Sequence, residues 1–209
     1  MGSMGKQQPN KTSDEELVRQ NRQGRQEAFT EIVKRYEQEL YHFLVRFMGS
    51  RPAAEDVFQD TFLQVHRSLD TFQLERRFKP WLFTIAANKA RDHLRRNKRR
   101  AASQLSAPIQ AGGEEDRQFL DLMQSDLPLP ADEASKREIQ QRVRDVIEDL
   151  PEHLREILVL AYFHQLPYKE IAGILDIPLG TVKSRLHSAV GTFAECWRRL
   201  MGDQDESAE

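Results

Sequence analysis

Apolar side chains recur along this chain at helical spacing, and no stretch of strand-like alternation has convincing length. Phe29, Ile32, Val33, Tyr36, Leu40, Phe43, Leu44 and Phe47 hold the period of an amphipathic helix as far as Gly49. Ahead of them, Ser13 with Glu16 forms a capping-box pattern that opens a shorter helix, and Gly24 ends it. A third helix is predicted from about Pro52 to Ser68, with Ala54, Val57, Phe58, Thr61, Phe62 and Val65 inward. A loop from Asp70 to Lys79 follows. Pro80 then opens a fourth helix that turns Trp81, Leu82, Ile85 and Ala86 inward and continues to Arg100. Four helices at this spacing predict one compact unit.

From Ala101 to Ala131 the periodicity fails. Ala, Ser, Gly, Pro, Gln and acidic residues dominate, punctuated by Gly112-Gly113 and Pro128-Leu129-Pro130. This composition predicts a linker, with Phe119, Leu120, Leu122 and Met123 as an apolar island inside it. Periodicity returns at Ile139, Val143, Val146, Ile147 and Leu150, and Pro151 starts a helix carrying Leu154, Ile157, Leu158 and Ala161. The fold class read from the pattern is all-α: two helical domains joined by a flexible acidic linker. The divisions fall at 1–12 (a disordered tail), 13–100 (first domain), 101–131 (linker), 132–201 (second domain) and 202–209 (a frayed acidic tail).

The most informative segment is Tyr168 to Ala189. Ile171, Ile174 and Leu175 make one apolar stripe; Val182, Leu186, Ala189 and Val190 make the next. Asp176-Ile177-Pro178 separates them, and Pro178 suits the first turn of the second helix. Small Ala172 lets the two helices cross closely. The outer face then carries Thr181, Lys183, Ser184, His187 and Ser188, with Arg185 beside them. Short polar and cationic groups on one helix face suit base edges and phosphates in a major groove, so the pattern is a helix-turn-helix and the ligand it names is DNA.

Charge sharpens this picture. The 209 residues carry a net charge of −2, but it is segregated. Between Glu75 and Arg100 lie Arg76, Arg77, Lys79, Lys89, Arg91, Arg95, Arg96, Lys98, Arg99 and Arg100, against only Glu75 and Asp92. Between Glu114 and Glu138 the balance is acidic. A basic helix and a separate acidic segment point to nucleic acid as partner of the first domain. The longest apolar run, Ile157 to Phe163, is too short to span a bilayer, and no signal peptide is visible. Met4 reads as the natural start, with residues 1–3 a cloning remnant. Cys196 is the one cysteine, so neither an internal disulfide nor a thiolate metal cage is expected, and a reduced cytoplasm fits. The six histidines have no metal-ligand spacing, and no phosphate-cradling loop, nucleophile elbow or triad is found. Neither metal nor cofactor is expected, and catalysis is assigned to a partner.

Three segments, in order, resemble the extracytoplasmic-function (ECF) sigma factors of bacterial RNA polymerase. Ala54-Glu-Asp-Val-Phe-Gln-Asp-Thr-Phe62 resembles the domain-two helix that grips the polymerase clamp. Phe78-Lys-Pro-Trp-Leu-Phe-Thr-Ile-Ala-Ala-Asn88 resembles the segment that reads and opens the minus-10 element. Leu150-Pro-Glu-His-Leu-Arg155, with Tyr168-Lys-Glu-Ile-Ala172 and Gly180-Thr-Val-Lys-Ser-Arg-Leu186, resembles the domain-four reader of the minus-35 element. Family members often carry a basic residue where this chain has Ser188.

The resemblance implies a set of sites. Core-polymerase binding falls to Glu55, Asp56, Gln59 and Asp60. Minus-10 binding and melting fall to Phe72, Arg76, Arg77, Phe78, Lys79, Trp81, Asn88, Lys89, Arg95, Arg96 and Arg99. Minus-35 binding falls to Thr181, Lys183, Ser184, Arg185, His187 and Ser188. Unstacking a base needs a pocket to receive it, and the loop from Leu69 to Phe78 is the candidate, with Trp81 read as its apolar anchor. Asn88 can present a donor and an acceptor to a base edge, or be a satisfied helical residue on a wet face. The implied partners are core RNA polymerase (clamp helices and flap), promoter DNA and an anti-sigma factor, with no membrane contact. A stand-alone helix-turn-helix regulator is the rival reading. A metal-dependent nuclease is a weaker one, because Asp92 alone is too few ligands.

Overall fold

In a computed structural model, the described residues are 12–103 and 133–205. The linker island and most of the acidic segment read from the sequence lie outside them. The elements are α1 (Asp14–Arg22), α2 (Gln26–Met48), α3 (Arg51–Ser68), a 3-10 turn (Leu69–Thr71), α4 (Phe78–Ser103), α5 (Glu133–Asp149), α6 (Glu152–Leu158) running into a π turn (Val159–Phe163), α7 (Tyr168–Leu175) and α8 (Leu179–Asp205). No strand occurs among the described residues.

Local chemistry accounts for most boundaries. Ser13 caps α1, its hydroxyl accepting from Glu16 N–H at 3.2 Å. Gly24, at φ 92°, turns the chain into α2. Gly49, at φ 66°, closes α2 in the left-handed conformation. Pro52 stands in the first turn of α3, where a missing N–H costs nothing. Four boundaries differ from the sequence reading. The fourth helix starts at Phe78, two residues before Pro80, because Glu15 of α1 accepts from Phe78 N–H at 3.4 Å and caps it from outside the local sequence. It also runs past Arg100, to Ser103, and α8 runs past residue 201, after which the pattern predicts a frayed tail, to Asp205. Pro178 sits just ahead of α8, its carbonyl accepting from Val182 N–H, rather than inside the first turn.

Helices α1 to α4 wrap one apolar interior in which Ile32, Leu40, Phe43, Leu44, Phe47, Val65, Leu82 and Phe83 are fully excluded from water. Arg22 ties the 3-10 turn to α1 by donating to Leu69 O, at 3.0 Å from Nε, and to Phe72 O. In the second domain, Ile147, Leu150, Ile157, Val159, Leu160, Ile171, Ile174, Val182 and Ala189 form the interior. Val190, read as part of that stripe, is 40% exposed. It follows Ala189 by about 100° around α8 and so leaves the buried side.

The two domains are packed together. Helix α7 lies on α4, and α2 meets α5, α6 and the π turn. The π turn widens the end of α6 (His164 N–H bonds Val159 O at 3.3 Å) and carries Phe163 and His164 toward the first domain. His164 packs edge-on against Phe43 and Phe83, with ring centroids 5.8 and 5.5 Å away. The Arg46 guanidinium lies 4.6 Å over the Phe163 ring. Arg155 donates to Phe47 O at 3.2 Å across the same boundary. One continuous apolar cluster therefore spans both domains.

Gly49 is a sensitive point in this join. A Cβ there would lie 3.3 Å from Glu148 Cγ on α5, in a backbone conformation that L side chains rarely adopt. Gly49→Ala should lower stability by about 1–2 kcal/mol, read as a shift of the urea midpoint at unchanged slope.

Candidate promoter and polymerase surfaces

The helix-turn-helix is formed by α7, Asp176 and α8. Asp176 caps α7 at φ 54°, a conformation its short polar side chain tolerates. Burial of Val182, Leu186 and Ala189 fixes the rotation of α8 and leaves Lys183, Ser184, His187 and Ser188 exposed in one row. Thr181 and Arg185 are half-buried at its edges. Ser184 already donates to Thr181 O at 3.1 Å, so its hydroxyl is oriented before any ligand arrives.

On α4 and the loop before it the nominated minus-10 residues divide into three groups. Phe72 and Phe78 are 4% and 0% exposed, so neither presents a ring to a ligand here. They meet each other at 5.6 Å, and Trp81, half-buried, packs on both at 4.8 and 5.5 Å. The aromatic trio is the floor of the loop. With Leu69 also buried, the open loop positions are Asp70, Thr71, Gln73, Glu75, Arg76 and Arg77. A second group faces water along α4: Asn88, Arg95, Arg96 and Arg99, with Lys89 half-buried. Asn88 Oδ1 accepts from Arg91 Nη2 at 2.6 Å on an exposed part of the helix. The third group meets carboxylates. Arg77 pairs with Glu170 of the second domain, and Lys79 pairs with Glu39 of α2 at 2.6 Å.

Glu55, Asp56, Gln59 and Asp60 form an exposed face on α3, and Leu63, 55% exposed, continues it. Tyr41 tethers one end by donating to Glu55 at 3.3 Å.

Buried charges mark the join between the domains. Burial opposes ionisation of Glu39, but hydrogen bonds from His164 and Lys79 outweigh it and hold its carboxyl below the usual range. Burial keeps His164 neutral more readily than a free histidine, despite Glu39 at 3.6 Å. Desolvation brings His42 down to about 4 and Arg46 down to about 10. Glu156 is 4% exposed, and burial pushes its carboxyl up to about 7, against the pull of Arg91 on α4 and Arg185 on α8. Glu152 adds to the rise. Among the described residues no group of histidine, cysteine and carboxylates could hold a metal ion, and no helix is long and apolar enough to cross a membrane.

A helix-turn-helix with an open outer face and a cationic helix define a DNA-binding protein, and a separate carboxylate patch stands exposed on α3. Comparison with known proteins is specific. Residues 32–100 match the family described as Sigma-70 region 2, and residues 140–191 match Sigma-70, region 4. The chain is 34% identical over 170 residues to the ECF RNA polymerase sigma factor SigW of Bacillus subtilis (strain 168), covering 81% of this chain and 89% of that protein. It is 34% identical over 177 residues to the ECF RNA polymerase sigma-E factor of Escherichia coli (strain K12), covering 85% and 90%. Its fold resembles the sigma factor RpoE of Bartonella quintana, solved with the anti-sigma factor NepR (TM-score 0.64, 23% identity, 81% of this chain and 96% of that one). It also resembles CnrH, solved with the cytosolic domain of CnrY (TM-score 0.63, 24% identity, 88% and 96%). The chain belongs to the ECF sigma factors of RNA polymerase. The stand-alone regulator is not the reading these matches favour.

Glu156 gives a pH signature. Its folded-state value, about 7, lies above the ordinary 4.5, so its contribution is fully present below 4.5 and is lost as pH rises through 7. Glu156→Gln should match the wild type near pH 4.5 and exceed it above pH 7, by on the order of 2 kcal/mol. Paired urea titrations of the two proteins across this range check the difference, in which the opposing histidine contributions cancel.

Proposed function

We propose that this sigma factor engages its partners through three separate surfaces. The carboxylates of α3 dock core RNA polymerase at the clamp. The α4 helix and the loop before it bind and open the minus-10 element. The outer face of α8 reads the minus-35 element. One observation carries the reading: burial of Val182, Leu186 and Ala189 turns Lys183, Ser184, His187 and Ser188 outward in a single row. Ser184 and His187 are assigned to base edges, Lys183 and Arg185 to phosphates. At Ser188, a short hydroxyl takes a position where relatives often carry a cation. The chain contributes placement and melting while core polymerase contributes the chemistry, in the cytoplasm. An anti-sigma factor is a further partner, a reading supported by the similar fold of RpoE having been solved with the anti-sigma factor NepR.

Base and phosphate contacts separate experimentally. Ser184→Ala or His187→Ala should cost about 1–3 kcal/mol on the cognate minus-35 element and relax preference at one position, whereas Lys183→Ala should weaken all sequences alike. Holoenzyme binding to a randomised minus-35 library reads both effects, and an unchanged preference in the Lys183, Ser184, Arg185, His187 quadruple alanine variant overturns the assignment.

Asp56→Arg with Asp60→Arg reverses charge at exposed positions, so the fold should survive while affinity for core polymerase falls. Unchanged affinity at moderate salt would remove α3 as the clamp contact.

For melting, alanine at the exposed loop positions Gln73 and Arg76 should lower run-off transcription from duplex promoters and spare templates with a pre-opened bubble, because a captured base needs its pocket only after unstacking. Arg95, Arg96 and Arg99 to alanine should weaken both templates, most visibly as salt rises. Equal loss on both templates for the loop variants would remove base capture from the loop.

A further inference from the structure

The loop from Leu69 to Phe78 is held at both ends by α1. At its start, Arg22 reaches the backbone: Nε donates to Leu69 O at 3.0 Å, and Nη2 donates to Leu69 O at 2.6 Å and to Phe72 O. At its end, Glu15 Oε1 accepts from Phe78 N–H at 3.4 Å. One guanidinium fork thus spans the 3-10 turn, and one carboxylate sits at the amino terminus of α4, where the helix dipole favours it. Helix α1 is itself fixed from behind. Leu17 and Val18 are buried, and Asp14 accepts from Arg35 Nη1 at 2.5 Å and from Tyr36 Oη, both on α2. The Tyr36 ring continues to the loop, 5.7 Å from Phe78. Between the two pins, Gln73, Glu75 and Arg76 stand exposed. Arg22 is exposed as well, so the loop depends on its hydrogen bonds and not on the volume of its side chain.

We propose that Arg22 and Glu15 are positioning residues for strand opening. They touch no DNA; they hold the loop in its receiving shape before a base leaves the stack. The proposal deepens the reading of this loop as the site of base capture and rests on it. Ordering a free backbone costs entropy at every residue, and a loop ordered only when the base arrives would spend part of the stacking energy on its own order. A loop pinned beforehand meets no such cost during opening. Phe72 and Trp81 then supply the floor, and the two pins fix where the loop leaves α3 and enters α4. The effect falls on opening and not on initial binding, because the closed complex has no unstacked base to receive.

The test uses holoenzyme assembled from core polymerase and the full chain. Arg22→Ala with Glu15→Ala removes both pins. Arg22→Lys with Glu15→Gln keeps a donor at the carbonyls and an acceptor at the amide. Glu16→Ala with Arg19→Ala removes an exposed ion pair from the same helix and is the control. Amide hydrogen exchange reads the loop through the bonded N–H groups of Phe72, Arg76 and Phe78, and circular dichroism reads the fold. The lag in abortive product formation on a duplex promoter separates initial binding from the rate of opening, and a pre-opened template bypasses the second step. The alanine pair should exchange faster at these amides with helicity unchanged. It should open duplex about three- to tenfold more slowly, with initial binding and the pre-opened template within about twofold of the control. The conservative pair should recover most of the loss. If the alanine pair loses helicity, Arg22→Ala alone, at an exposed position, carries the same comparison. Faster exchange with unchanged opening overturns the proposal, as does unchanged exchange or an equal loss on both templates. If Gln73→Ala with Arg76→Ala also fails to separate the two templates, the loop captures no base and the functional reading falls as well; if that pair separates them and the pin variants do not, the proposal falls alone.

Discussion

Helix α4 is required to satisfy two incompatible solvents at once. Its Phe78, Leu82, Phe83 and Ala86 are excluded from water, while Arg95, Arg96, Arg99 and Arg100 stand in it. The transition takes place along one helix, and the second domain sits across it. There, the half-buried Arg91 meets Glu156 and the half-buried Lys79 meets Glu39 of α2, while the exposed Lys98 and Arg77 meet Glu152 and Glu170 at the rim. Charge withdrawn from water needs a partner, so Arg91 and Lys79 are held by pairing, while the exposed pairs at the rim add little to the apolar fit of the join.

The same constraint distributes the surfaces. Where α4 is paired, the molecule is closed on itself. Further along the helix, at Arg96, Arg99 and Arg100, the side chains stand open to water. The α3 carboxylates, on another face of the first domain, and the α8 row, on the outer side of the second, are both left open. Three surfaces of different charge thus coexist on a chain whose net charge is −2. Bulk charge alone would have hidden a DNA binder.

The π turn after α6 has a disproportionate effect. By widening one turn it brings Phe163 under Arg46 and His164 against Phe43 and Phe83, and so joins the two interiors. At this join burial lowers His164, and, against burial, hydrogen bonds from His164 and Lys79 lower Glu39. These are consequences of packing and have no counterpart in local sequence.

Much was legible from residue order because it depends on near neighbours. Helical period, the Ser13 cap, the left-handed Gly49 and the turn at Asp176 are set within a few residues, and each marks a boundary in the chain alone. The outward row on α8 was equally legible, since a helix that buries Val182, Leu186 and Ala189 has only one way to turn Lys183 and His187. Tertiary structure decided the rest. It started α4 at Phe78, because a carboxylate from α1 caps it; it drew Phe72 and Phe78 into the core, because Trp81 and Tyr36 close over them; and it turned Val190 outward. Above all it seated the second domain on α4, through pairs such as Arg77 with Glu170, 93 positions apart in the chain. A sequence specifies the charges on both partners of such a pair, but which of them meet depends on where helices from distant segments come to rest, and that is a property of the packed chain.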